Sequence, residues 1–300
     1  MRILNIGSLN IDKVYSVPHF VRPGETLTAP KLETFAGGKG LNQSVALARA
    51  GAEVYAAGAI GPDGQFLSDL LRESGANVDK LLTLENVPTG HAIIQVVPQG
   101  QNCIIISPGA NGELTEEAID QAFTGFGVGD MLLLQNEVSN VAYAMKCAKA
   151  KGMYVAFNAS PIDDKLFTYP LDLVDCFIVN EIEGKAIAGT ETTDNHAILS
   201  ALLEKYPFAA VVLTLGGDGV LYGKAEGRTS HRAYKVPVVD TTAAGDTFCG
   251  FFLASIAKGL TPDKALHMAS MASALAIQTK GAAPSIPTWE QVETFAKTLQ

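Results

Sequence analysis

The feature that most limits how this chain can fold is the repeated exchange of short, wholly apolar runs for segments with helical spacing. Met131-Leu132-Leu133-Leu134 and Val211-Val212-Leu213 carry no polar residue on either face. A strand of that kind needs cover on both sides, the condition of a parallel sheet packed between helices. Strand-like segments at Ile3–Gly7, Val54–Ile60, Met131–Gln135, Tyr154–Asn158, Phe177–Asn180 and Val211–Leu215 alternate with helix-like ones. The latter are Leu41–Ala50, with Gly51 placed to end it, Gln65–Glu73, Glu116–Phe123, Val141–Lys151, Ile182–Ala188 and Ile198–Lys205. The last third reads as mostly helical, over Ala244–Lys258, Pro262–Lys280 and Thr288–Leu299. The pattern predicts one large α/β domain over 1–300. Two extended segments outside the alternation, about 14–34 and 84–111, read as a small appended sheet or lid. Val220–Tyr222 and Thr229–Tyr234 suggest a further hairpin.

Composition narrows the function. With 47% hydrophobic and 18% charged residues among 300, the chain can bury a large core, which excludes global disorder. Lys and Arg number 22 against 31 Asp and Glu, a formal charge of −9, which argues against a nucleic-acid partner. No apolar run approaches the roughly 20 residues of a membrane span, and the N-terminus lacks the marks of a signal peptide. Cys103, Cys147, Cys176 and Cys249 have no paired spacing and read as buried thiols of a cytoplasmic protein. His19, His91, His196, His231 and His267 are dispersed, so the spacing predicts no zinc site.

An open parallel sheet binds ligands at the C-terminal ends of its strands. Five polar or glycine-rich clusters fall there. Gly7-Ser8-Leu9-Asn10-Ile11-Asp12 is either an Asx turn or an amide and a carboxylate aimed at neighbouring hydroxyls. Ala36-Gly37-Gly38-Lys39-Gly40-Leu41-Asn42-Gln43 opens a helix whose N-terminus favours anions. It is neither a nucleotide P-loop, lacking Ser or Thr after Lys39, nor a dinucleotide fingerprint. Asn180-Glu181-Ile182-Glu183 is a capping box or a pair of side chains holding waters of a phosphate-bound Mg²⁺. Thr214-Leu215-Gly216-Gly217-Asp218-Gly219 is a glycine-rich hairpin or the floor under a nucleotide. Asp240-Thr241-Thr242-Ala243-Ala244-Gly245-Asp246-Thr247 is the most specific. There the free N–H groups of Ala243, Ala244 and Gly245 can form an anion hole, with Asp246 placed to take a proton from a hydroxyl.

These residues carry a resemblance over essentially the whole chain to the ribokinase family of ATP-dependent carbohydrate kinases. Its most specific parts are Gly37 to Gln43 and Asp240 to Phe248. The resemblance implies a Rossmann-like parallel sheet flanked by helices, with a small β-sheet lid that forms a homodimer contact. It implies phosphoryl transfer from MgATP to the hydroxyl of ribose or a related pentose or ketohexose. Asp246 resembles the catalytic base, and Ala243, Ala244 and Gly245 the anion hole. Asn10, Asp12, Gly38, Lys39, Asn42 and Glu137 fall on sugar-contacting positions. Asn180, Thr214, Gly216, Gly219 and Ser270 fall on nucleotide positions, with Glu183 on the Mg²⁺ water network. Asp240, Thr242, Ala276, Thr279, Gly281 and Ser285 fall on loops that hold an activating K⁺. The remaining readings are a nucleoside or sugar-phosphate kinase of the same fold, an NAD-linked oxidoreductase, which the missing fingerprint disfavours, and a non-catalytic sugar sensor.

Overall fold

The computed structural model describes residues 1–298. The chain opens with strands β1 (Ile3–Ile6), β2 (Asn10–Ser16) and β3 (Lys31–Gly37), then helix α1 (Lys39–Arg49), β4 (Val54–Ile60), α2 (Gln65–Glu73) and β5 (Asn77–Thr83). Strands β6 (Gly90–Val96) and β7 (Asn102–Ser107) precede α3 (Glu116–Ala122), β8 (Met131–Gln135), α4 (Val141–Ala150), β9 (Tyr154–Asn158) and β10 (Cys176–Asn180). Next come α5 (Glu181–Ala188), α6 (Asn195–Lys205), β11 (Ala210–Thr214), β12 (Val220–Lys224) and β13 (Gly227–His231). Three helices close the chain, α7 (Ala244–Ala257), α8 (Pro262–Ala276) and α9 (Trp289–Thr298). The predicted helix end at Leu299 lies outside the described residues.

Nine strands form one sheet in the order β13-β12-β11-β10-β9-β8-β1-β4-β5. Pairing is parallel from β11 to β5, and the expected second hairpin extends the sheet as antiparallel β12 and β13. Alternate residues of the apolar runs feed two cores. Met131 and Leu133 of β8 pack on the side of α1, α7 and α8, while Leu132 and Leu134 pack on the side of α3, α4 and α6. That division is why these strands carry apolar residues at every position.

A separate sheet has the order β3-β2-β6-β7, with β2 and β6 parallel and the outer pairs antiparallel. Its strands run over Asn10–Ser16, Lys31–Gly37, Gly90–Val96 and Asn102–Ser107, shifted from the expected 14–34 and 84–111. Asn10 and Asp12 are therefore not in a turn after β1 but at the start of β2. Alternation still turns both side chains to one face.

One strand has no counterpart among the expected elements, and two other expectations differ from the structure. Strand β5 was not legible, because Asn77, Asp79 and Lys80 break its apolar pattern; it is an edge strand and has one side open. Helix α8 stops at Ala276 instead of Lys280, and the Ile277 carbonyl turns to accept the N–H groups of Val239 and Asp240. Only Cys176 and Cys249 are buried; Cys103 is exposed on edge strand β7 and Cys147 is half-buried on α4.

One close approach decides the site. A Cβ on Gly250 would collide with Ala46 and with the backbone of Leu47. Glycine there lets α7 lie directly on α1, so that the first turns of both helices meet.

Candidate active site

Asp246 sits in the first turn of α7 and is only 8% exposed. Both carboxylate oxygens accept amide N–H groups from α1: Gln43 Nε2 donates to Oδ1 at 2.8 Å and Asn42 Nδ2 to Oδ2 at 3.1 Å. Gln43 is held in turn. Its Oε1 accepts from Gln135 Nε2 at 2.7 Å, and Gln135 also donates to Asn5 Oδ1 at 2.9 Å. A buried chain of amides thus runs from β1 and β8 to the carboxylate.

Lys39, at the start of α1, faces the same space. Burial alone would lower its ammonium pKa, but the carboxylates of Asp246, Glu137 and Glu183 outweigh it and hold the pKa above the ordinary value. Glu137 accepts the Lys39 backbone N–H at 3.2 Å and the Ser8 hydroxyl. Gly38, with φ of 93°, makes the turn into α1; a Cβ there would meet the Ser8 carbonyl.

Across from this turn stand Asn10 and Asp12 on β2. Asn10 Oδ1 accepts from Asn111 Nδ2 at 2.8 Å, and Asn111 also pairs with the backbone N–H and carbonyl of Leu9. Asn10 is thereby left with its own amide N–H groups to offer. Asp12 has no hydrogen-bond partner among the described residues. Burial, with Glu137 nearby, pushes its pKa up to about 6. Both oxygens of this shielded carboxylate remain able to accept hydrogen bonds.

Two cavities adjoin. The smaller, about 180 Å³, is lined by Lys39, Asn158, Asn180, Glu183, Ala243 and Asp246 among others. The larger, about 510 Å³, lies between the 233–238 segment and α8 and has Gly216, Gly219, Phe248 and Ser270 in its wall. Thr214, Thr241, Ala244 and Gly245 line both. The six residues expected at the nucleotide and its Mg²⁺ thus divide: Asn180 and Glu183 face the small cavity, Gly216, Gly219 and Ser270 the large one, and Thr214 both.

The anion-hole expectation needs a correction. Ala243 has the left-handed φ of 58°, which turns the chain into α7. The Ala244 N–H, however, is not free: it donates to the Thr241 carbonyl at 3.2 Å, closing that turn. Asn180 and Glu183 do form the capping box, each side chain accepting the other's N–H at 2.9 Å.

Of the other five cation-loop residues, Thr242 and Gly281 bond directly to the Asp240 carboxylate. Its Oδ1 accepts from the Thr242 N–H at 2.9 Å and hydroxyl at 2.6 Å, and its Oδ2 from the Gly281 N–H at 2.9 Å. Burial works against this carboxylate, but those donors prevail and hold its pKa below the ordinary range. The Ala276 carbonyl accepts from the Thr279 N–H, and the Ser285 hydroxyl donates to the Ala282 carbonyl. Thr279 and Ser285 border a separate cavity of about 670 Å³ beside α9.

Residues that sequence reasoning missed are Asn111, Gln135, Asn158 and the 233–238 segment. The first three are single amides without a motif; the segment begins inside the expected strand Thr229–Tyr234, but β13 ends at His231 and leaves 233–238 as a loop.

A nine-stranded sheet, a separate four-stranded sheet and a carboxylate at a helix N-terminus in a strand-end cavity define the class. The model for the pfkB family of carbohydrate kinases matches residues 2–289, and the chain belongs to that family. Within it the chain is similar to the ribokinase of Haemophilus influenzae, with 35% identity over 97% of this chain and 96% of the relative. Ribokinase from Cryptococcus neoformans in complex with ADP superposes with a TM-score of 0.87 at 33% identity, covering 98% of this chain and 99% of that one. Arabidopsis thaliana ribokinase complexed with ribose and ATP gives 0.86 at 29% identity, covering 98% of each. The protein is thus a carbohydrate kinase of the ribokinase-like kind.

Proposed function

We propose that the protein transfers the γ-phosphoryl group of MgATP to a hydroxyl of ribose. The observation that carries this reading is Asp246, fixed by Asn42 and Gln43 in the wall of the small cavity, next in the chain to Gly245, which lines both cavities. The large cavity suits ATP, in line with the ADP and ATP in the two related structures. The space between β2 and the start of α1 suits the sugar.

Asn10, Asp12, Gly38, Lys39, Asn42 and Glu137 orient the sugar. Asp12 and Glu137 accept hydrogen bonds from its hydroxyl groups, and the Asn10 amide donates. Asp246 then takes the proton of the attacking hydroxyl, a step that contributes about 10²–10⁴-fold. The N–H groups of Ala243 and Gly245 stabilise the charge of the transferring phosphoryl group; that of Ala244 joins them if its bond to Thr241 opens. Glu183 and Asn180 offer hard oxygen atoms fit for the water shell of Mg²⁺, which supplies charge neutralisation on the phosphates when bound. Asp240 and carbonyls of the 276–285 loop are likewise hard donors fit for K⁺.

The same reading makes the small sheet a lid and a homodimer contact. Ile104, Ile105 and Ile106 on β7 are 49%, 60% and 55% exposed, which is unusual for three consecutive isoleucines. A cytoplasmic location goes with it. A sugar-phosphate acceptor is disfavoured because Lys39, the cation placed among the sugar residues, already faces three carboxylates.

A coupled ADP-release assay over ribose, deoxyribose, ketohexoses and nucleosides tests the proposal. Ribose should give the highest kcat/KM. No turnover with any acceptor would leave the sensor reading; preference for a nucleoside would move the acceptor assignment.

A further inference from the structure

His231, Tyr234 and His267 form a cluster that the site above does not use. His231 ends β13 and His267 lies on α8, 36 residues further on. The spacing in the sequence made these histidines look dispersed, but β13 and α8 pack together. His231 Nε2 and His267 Nδ1 lie 3.2 Å apart. The Tyr234 hydroxyl is 2.8 Å from His267 Nδ1 and 3.4 Å from His231 Nε2.

Three ligating atoms therefore make a nearly regular triangle. Tetrahedral Zn²⁺ with bonds of about 2.0–2.1 Å sets its ligand atoms about 3.3 Å apart, within the range of these edges. The Tyr234 hydroxyl has a single proton for two ring nitrogens, and its edge to His231 is the longest of the three. His267 is exposed, which provides an entry path and room for water. No three His, Cys, Asp or Glu side chains converge among the described residues; the third donor here is a phenol.

We propose that His231, Tyr234 and His267 bind a transition-metal ion of the Zn²⁺ type, with water as the fourth ligand. The two imidazoles carry the affinity. Tyr234 ligates only after releasing its phenolic proton to solvent, so it contributes less. Tyr234 also lines the 510 Å³ cavity, as do Ser270 and Ser273 further along α8. A bound ion would pin the 233–238 segment to α8, bracing two walls of that cavity. This inference does not depend on the kinase reading.

The test is calorimetric titration of untagged, nucleotide-free protein with ZnCl₂ at pH 7.5, with thermal unfolding alongside. The expected result is one site of micromolar Kd and a rise in Tm with Zn²⁺. His267→Ala and His231→Ala should each weaken binding at least about tenfold, and Tyr234→Phe less. His267 is exposed, so His267→Ala should keep the metal-free Tm, and it is the deciding variant. Binding weaker than about 100 µM, or equal binding by wild type and His267→Ala, would overturn the proposal.

Discussion

Gln43 Nε2 lies 2.8 Å from Asp246 Oδ1, although 203 residues separate the two in the chain. The contact joins the first turns of α1 and α7, and the amides of Gln135 and Asn5 hold Gln43 from behind. An amide in this position fixes the carboxylate without charging it. Gln43→Glu replaces the donor by a like charge, so kcat should fall about tenfold or more, the loss of one charged hydrogen bond, with little change in KM for ATP. An unchanged kcat would mean that Gln43 only fills space.

Asp246→Asn should lower kcat by about 10²–10⁴-fold with a modest change in sugar KM. Steady-state kinetics on folded variant, checked by circular dichroism, is the measurement. Retention of more than a tenth of wild-type kcat would remove Asp246 from the base role.

Asp12 is predicted to trade stability for recognition. Its pKa is raised to about 6, above its ordinary value of 3.8, so the folded state binds more protons than the unfolded state between those values. Stability from this group therefore falls as pH rises from about 4 to about 6, and the ionised carboxylate is a net cost at pH 7. Without sugar, Asp12→Asn should raise Tm at pH 7.5 and lose that advantage near pH 4. Sugar KM should rise about tenfold or more, because charged hydrogen bonds contribute about 1.5–3 kcal/mol. For the wild type, sugar KM should rise as pH falls below 6. A lower Tm at pH 7.5 would show that Asp12 has a structural partner.

Asp240 links the turn before α7 to the 279–285 loop through Thr242 and Gly281. Replacing Tris by K⁺ should raise kcat several-fold, and Asp240→Ala should abolish the response. If Asp240 only ties the two loops, rates in K⁺ and Tris will agree for the wild type.

Gly250→Ala tests the packing that brings the site together. The added methyl meets Ala46 and the Leu47 backbone, so α7 must move off α1. Overpacking of this kind costs about 1–3 kcal/mol. Chemical denaturation should show that loss, and kcat should fall with it because Asn42 and Gln43 withdraw from Asp246. Unchanged stability would mean that the helices have slack at this crossing.

The sequence by itself determined the α/β class, the parallel strands and the local devices. Apolar runs such as Met131–Leu134 are periodic over a few residues, and the capping box of Asn180 and Glu183 is complete within four. Hydrophobic periodicity and turn chemistry are local, so they can be read from the chain. Strand β5 escaped because an open edge does not require apolar residues on both faces. What only the tertiary structure decided are the pairings across long separations: Gln43 with Asp246, Asn111 with Asn10, His231 with His267. These depend on sheet order, which sets β1 between β8 and β4, and on how closely α7 can lie on α1. The engaged N–H of Ala244 belongs to the same class: a motif shows which donors exist, whereas the fold of the turn decides which remain free.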